Sequence, residues 1–146
     1  MIGMFQGASQ FNADLSLWDT SALTSIALMF QGAEKFNGDV TTWDISNVRV
    51  AWGAFDGAIT FNQNISQWVT SSMTNASYMF RQASSFNQNL SNWDMSSVLS
   101  VTGMFHGAID FTGQDLSSWD VSQVNTRNRN NFDTGWGDNN IAPAWR

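Results

Sequence analysis

The sequence predicts an α/β solenoid: a right-handed stack of about five turns of 25 residues, each holding one short strand and one short helix. Three observations lead there. Phenylalanine recurs in two rows at a step of 25, Phe5, Phe30, Phe55, Phe80, Phe105 and Phe11, Phe36, Phe61, Phe86, Phe111. Tryptophan keeps the same step at Trp18, Trp43, Trp68 and Trp93, with Trp119 one residue late. An aliphatic row (Leu15, Val40, Ile65, Leu90, Leu116) and a small one (Ala8, Ala33, Ala58, Ala83, Ala108) run beside them. A fixed period of this length marks a stacked-repeat architecture, and stacking sets each row above itself to bury a continuous apolar column.

The helix is expected from Ser21 onward, where Leu23, Ile26, Met29, Phe30 and Ala33 recur at three- and four-residue steps. Thr20 and Ser21 are placed to cap its start, and Gly32 to stop it in a left-handed conformation. The strand is expected at Asp14-Leu15-Ser16-Leu17-Trp18 and its equivalents, paired in parallel from turn to turn. One strand and one short helix per 25 residues is the leucine-rich-repeat plan. A β-solenoid is the alternative; Met-Phe-x-Gly-Ala reads as helix, which favours the α/β form.

The units start near Met4, Met29, Ala54, Met79 and Met104, giving a repeat region over 1–124. After Val124 the pattern breaks, and "NTRNRNNFDTGWGDNNIAPAWR" reads as a C-terminal cap and tail over 125–146. Alternatively, Trp136 and Trp145 dock against the open N-terminal end of another copy, which would propagate head to tail. The opening "MIGMF" reads as the tail of a helix whose beginning is missing, so that the sequence starts mid-unit.

The totals limit the partners. A net charge of −6 and a pI near 4.3 oppose binding to a nucleic-acid backbone or an anionic membrane surface. No apolar run is long enough to span a bilayer, and no leader-like segment opens the sequence. The absence of cysteine excludes disulfides and thiolate chemistry. Charged residues make up only 12%, so the surface is polar but mostly uncharged.

The unit "MFQGAEKFNGDVTTWDISNV" resembles the BspA-like surface-protein repeats, a leucine-rich-repeat-like group of bacterial, mycoplasma and protist surfaces. The resemblance covers residues 1 to about 124 and rests on M-F-x-G-A, F-N-x-D-[LI]-S and W-D-x-S. It implies an extracellular or cell-surface module for adhesion or recognition, without catalysis. Ala54, Gln82, Val69 and Thr112 depart from the unit's Met, Gly, Asp and Asn, and none alters the period.

The polar rows read mostly as structure. Asn12, Asn37, Asn62 and Asn87 are placed to satisfy backbone groups between turns. Asp19, Asp44, Asp94 and Asp120, each with serine two residues on, suit Asx-turns or caps. No metal or other cofactor is expected; the one metal alternative is calcium bridging Asp14 and Asp39 of the row Asp14, Asp39, Asn64, Asn89, Asp115. His106 shares its row with Gln6, Gln31, Asp56 and Arg81, which suggests an exposed, tolerant position, and a lone histidine makes no catalytic base. No nucleophile elbow, phosphate loop or zincin motif occurs, so no catalytic residue is assigned.

Recognition residues are sought where the repeat varies. Leu17, Thr42, Gln67, Asn92 and Ser118 form one such row, and Ala13, Gly38, Gln63, Gln88 and Gln114 another. Gln63, Gln67, Gln88, Asn92 and Thr42 are the candidate contacts for a protein or glycan ligand, where repeated weak contacts add. The other readings are a structural subunit associating through its ends, and a face for ice or a polysaccharide, the latter on the row Ser16, Thr42, Ser66, Ser91, Ser117.

Overall fold

The computed structural model describes residues 2–145. The expected α/β solenoid is not formed. Among the described residues there is no α-helix and no strand; regular structure is limited to a 3-10 turn at Thr126–Arg129 and four isolated parallel bridges. The β-solenoid alternative fails for the same reason. What the repeats build is a pile of irregular 25-residue loops joined in register.

Each loop is a chain of β-turns. In the second, the N–H groups of Met29, Gln31, Ala33 and Phe36 donate to the carbonyls of Ile26, Leu28, Phe30 and Ala33 at 2.9–3.2 Å, each three residues back. Those bonds close four-residue turns; an α-helix would close four residues back. The interleaved N–H groups of Ile26, Leu28, Phe30 and Gly32 instead donate to Val50, Trp52, Ala54 and Asp56 of the next loop, at 2.8–3.0 Å. Alternate residues thus bond within and between loops.

Left-handed backbone enforces the alternation. Gly32 has φ +67, as predicted, but it closes a turn rather than ends a helix, and its row repeats this at Gly7, Gly57, Gln82 and Gly107. A second left-handed row four residues earlier runs Gly3, Leu28, Gly53, Tyr78, Gly103. Two left-handed residues four apart in every loop cannot be threaded onto a right-handed helix. Connected turns nevertheless bring apolar residues round every three or four positions, which is why the sequence imitates a helix there. The supposed strand is also bent. Ser16 N–H donates to the Asp14 carboxylate, and Trp18 N–H to the Leu15 carbonyl at 3.1 Å.

The core follows the expected columns. Phe30, Phe55, Phe80 and Phe105, and Phe36, Phe61, Phe86 and Phe111, are fully buried. Within a loop the two rings stack at 3.9–4.3 Å; between loops the centroids are 5.3–6.0 Å apart. Each later tryptophan packs beside the rings and donates its indole N–H to the preceding loop, Trp43 to Leu15, Trp68 to Val40, Trp93 to Ile65 and Trp119 to Leu90, at 2.8–3.1 Å. The tryptophan row therefore seals the core and ties adjacent loops with a buried polar bond.

Residues after Val124 continue the pile in degenerate form. The N–H groups of Val101, Gly103, Phe105 and Gly107 donate to Asn128, Asn130, Phe132 and Thr134 at 2.8–2.9 Å. Asn131 and Gly135 repeat the left-handed positions of Gly103 and Gly107. "NNFDTGW" (130–136) thus lies over "TGMFHGA" (102–108), and Asp133 stands where the phenylalanine column would continue. Phe132 instead meets Phe105 edge-on at 5.4 Å, and Trp136 covers Phe105 and Phe111. Trp145 closes on Phe132 at 5.0 Å.

Candidate functional site

The aspartate–serine pairs form Asx-turns, although no helix follows them. The side chains of Asp19, Asp44, Asp94 and Asp120 accept from the N–H of Ser21, Ser46, Ser96 and Ser122, and Asp14, Asp39, Asn64, Asn89 and Asp115 do the same one row earlier. Hydrogen bonds from the serine hydroxyl and N–H hold the carboxyls of Asp19, Asp44 and Asp94 below their ordinary 3.8; like charge from Asp19 opposes this at Asp44. A carboxyl lowered on folding contributes stability that is complete above its unfolded pKa and lost as pH falls through its folded pKa. The melting temperature is expected to hold down to about pH 4 and then fall. Asp44→Asn, which keeps the acceptor as Asn64 and Asn89 do, should shrink that fall; an identical acid profile would disprove the assignment.

The asparagine row is a ladder between loops. The side-chain oxygens of Asn12, Asn37, Asn62 and Asn87 accept from the backbone N–H of Asn37, Asn62, Asn87 and Thr112 at 2.8–3.1 Å. Gln63 and Gln88 join it, donating to Asn37 and Asn62. Thr42 donates to the Ser16 carbonyl. Gln67 and Asn92 line a depression of about 310 Å³ with Trp68, Val69 and Thr70. The five candidate contacts are therefore scattered: Gln63 and Gln88 belong to the asparagine ladder, Gln67 and Asn92 to a small separate hollow, and Thr42 to a bond with the preceding loop. Asp14 and Asp39 each face their own Ser16 and Thr41, and among the described residues no group of three or more His, Cys, Asp or Glu is placed to hold a metal.

A more extensive concavity lies elsewhere, over the left-handed glycines. A groove of about 750 Å³ crosses all five loops, floored by Gly7, Gly32, Gly57, Gln82 and Gly107. One wall is a hydrogen-bonded side-chain chain: Gln6 donates to Gln31 at 2.6 Å, Gln31 to Asp56 at 3.1 Å, and Arg81 forks onto Asp56 at 2.8 and 2.6 Å. Asp56 is buried while Arg81 is half exposed, its guanidinium 4.9 Å from the Tyr78 ring. Asp56 raises the Arg81 pKa, chiefly by this hydrogen bonding. The opposite wall carries Glu34, Ile59 and Ser84.

This corrects the reading of the His106 row as exposed and tolerant: Asp56 is buried, and His106 is half-buried with Nδ1 lacking a hydrogen-bond partner. The available signal was the opposite charge of Asp56 and Arg81 one period apart in a single row.

Five near-identical loops, hydrogen-bonded in register around shared aromatic columns, define a tandem-repeat protein. The chain belongs to the family described as "Mycoplasma protein of unknown function, DUF285", which matches residues 1–53 and 41–145. That match supports a repeat family without singling out the BspA-like group. No curated protein and no solved structure matches the chain.

Proposed function

We propose that the protein is a non-enzymatic recognition module, extracellular or at a cell surface, of the BspA-like kind, that binds a protein or glycan ligand in the groove. The observation that carries this reading is an open concavity continuous over five loops, walled by polar side chains that differ from loop to loop. The core rows are constant because they pack; Gln6, Gln31, Asp56, Arg81 and His106 vary in a row that packing leaves partly free. No nucleic-acid or membrane partner is proposed. The test is saturable binding of labelled protein to intact cells, expected to be lost in Ser84→Arg, which fills the groove from a half-buried wall position. Binding that Ser84→Arg leaves intact would remove the groove from the reading.

Self-association through the ends is the second reading, and the ladder favours it. The carbonyls of Ile2, Met4 and Gln6 and the N–H groups of Asn131, Asp133 and Gly135 have no backbone hydrogen bond among the described residues, and both sets lie in ladder register. Against it stands Asp133, which would meet the ring of Phe5. A light-scattering mass that stays monomeric with rising concentration would remove it.

A further inference from the structure

We infer that the groove takes a short neutral oligosaccharide; this rests on the recognition reading above and names its ligand. Three features of the groove decide among ligand classes. The first is the floor. The N–H groups of Gly7, Gly32, Gly57, Gln82 and Gly107 all donate to carbonyls of the next loop, at 2.7–2.9 Å. An extended peptide is captured mainly by main-chain bonds to an unpaired edge, and this floor has no N–H left to give. Recognition must come from side chains.

The second feature is which side chains are unengaged. The Glu34 carboxylate, the Gln82 amide and the Ser84 hydroxyl line the groove without a hydrogen-bond partner among the described residues, and the Arg81 fork leaves Nη1 unused. Together they offer a charged acceptor, a donor–acceptor amide, a hydroxyl and a guanidinium N–H. Vicinal sugar hydroxyls, each donor and acceptor at once, match such a mixed set. Gln82 is the one floor position without glycine. It holds φ +55, a conformation costly to a residue with a Cβ, and its side chain lies over Gly107, where an added Cβ would meet Gln82 Cγ at 3.5 Å. The strained residue adds an amide to a floor otherwise made of glycine.

The third feature is charge. Arg81 is matched by Asp56, which leaves Glu34 as the uncompensated charge in the groove, on a chain of net charge −6. Sulfated or uronic-acid polymers are repelled by that arrangement. At roughly 5 Å per loop the groove is about 20 Å long, the reach of several linked sugar rings rather than one.

The experiment is titration of the full chain with neutral glucose and N-acetylglucosamine hexasaccharides, with a heparin hexasaccharide and a Gly-Ser peptide as comparators. Saturable binding of a neutral hexasaccharide is expected, weakened about tenfold by Glu34→Gln, which replaces a charged acceptor with a neutral one, and by Gln82→Gly, which removes the amide. An unchanged melting temperature in Glu34→Gln separates this loss from misfolding. Preference for the heparin fragment or the peptide overturns the inference. So does neutral-sugar binding indifferent to both substitutions, or no sugar binding at all. If cells are still bound in a Ser84-dependent way, recognition by the groove stands and only the ligand class is wrong.

Discussion

Phe80→Ala is expected to cost about 3–5 kcal/mol of folding stability, the range for emptying a large aromatic site in a packed core. Phe80 is fully buried, stacks on Phe55 and Phe105 at 5.7 Å on either side and on Phe86 at 4.1 Å, and lies 6.1 Å from Trp93. Four rings lose a neighbour at once. The backbone around them is held by ladder bonds from Phe80 to Met104 and from Phe55 to Met79, so the loops cannot close the gap by sliding. Phe5 is the internal control. It occupies the same row but is only partly buried and has a loop on one side alone, so Phe5→Ala should cost about 1–2 kcal/mol. Chemical denaturation of both variants measures the difference. Equal losses would mean that position along the column is irrelevant, contrary to nearest-neighbour stacking.

The same rings explain what the sequence could disclose. A residue that must stack on its own equivalent has to recur at the loop period, so the columns of Phe, Trp and Ala were visible as rows. So was the asparagine ladder, because one Asn serves the backbone of the next loop. The backbone path was not visible. Leu28 and Tyr78 adopt left-handed φ where Gly3, Gly53 and Gly103 hold the same row, and no rule of composition expects a leucine or a tyrosine there. The contacts that hold them are between loops: an added Cβ on Gly53 would meet Leu28 Cδ2 at 3.0 Å, and one on Gly103 would meet the Tyr78 ring at 2.7 Å. Each bulky residue lies across the next loop's glycine. The helix reading failed on this long-range packing, since local spacing of apolar residues is the same for linked turns and for a helix.

The candidate site was hidden for a related reason. Gln63 and Gln88 vary like surface residues but their amides are spent on the asparagine ladder, whereas Asp56 and Arg81 vary in a row that looks idle and is bonded from loop to loop. Variation along a row does not say whether its side chains face a partner or one another; only the direction of the side chains does. The degenerate loop at 130–136 escaped because Asp133 replaces the diagnostic phenylalanine and the ladder step lengthens from 24 residues to 27, as the bond from Val101 to Asn128 shows against that from Ile26 to Val50.

That degenerate loop carries the second large effect. Removing residues 125–146 strips the cover from Phe105 and Phe111 and leaves the N–H groups of Val101, Gly103, Phe105 and Gly107 without their acceptors. Each lost hydrogen bond is worth about 0.5–1.5 kcal/mol and each re-exposed large side chain about 1.5–3 kcal/mol. The total, on the order of 5–10 kcal/mol, approaches the whole stability of an ordinary domain. The truncated chain is expected to unfold or to aggregate through its open ladder edge. Excising one interior loop, residues 54–78, removes a comparable length yet joins Gly53 to Met79 in register, so that "WG" runs on into "MFRQA" and the ladder partners are restored. This shorter pile should remain folded and monomeric with a modestly lower melting temperature, because only one nearest-neighbour interface is lost. Circular dichroism melts and size-exclusion profiles of the two deletions decide the matter. If both deletions behave alike, chain length governs stability; if only the terminal one collapses, the cover that residues 125–146 lay over Phe105 and Phe111 is what holds the preceding loops folded.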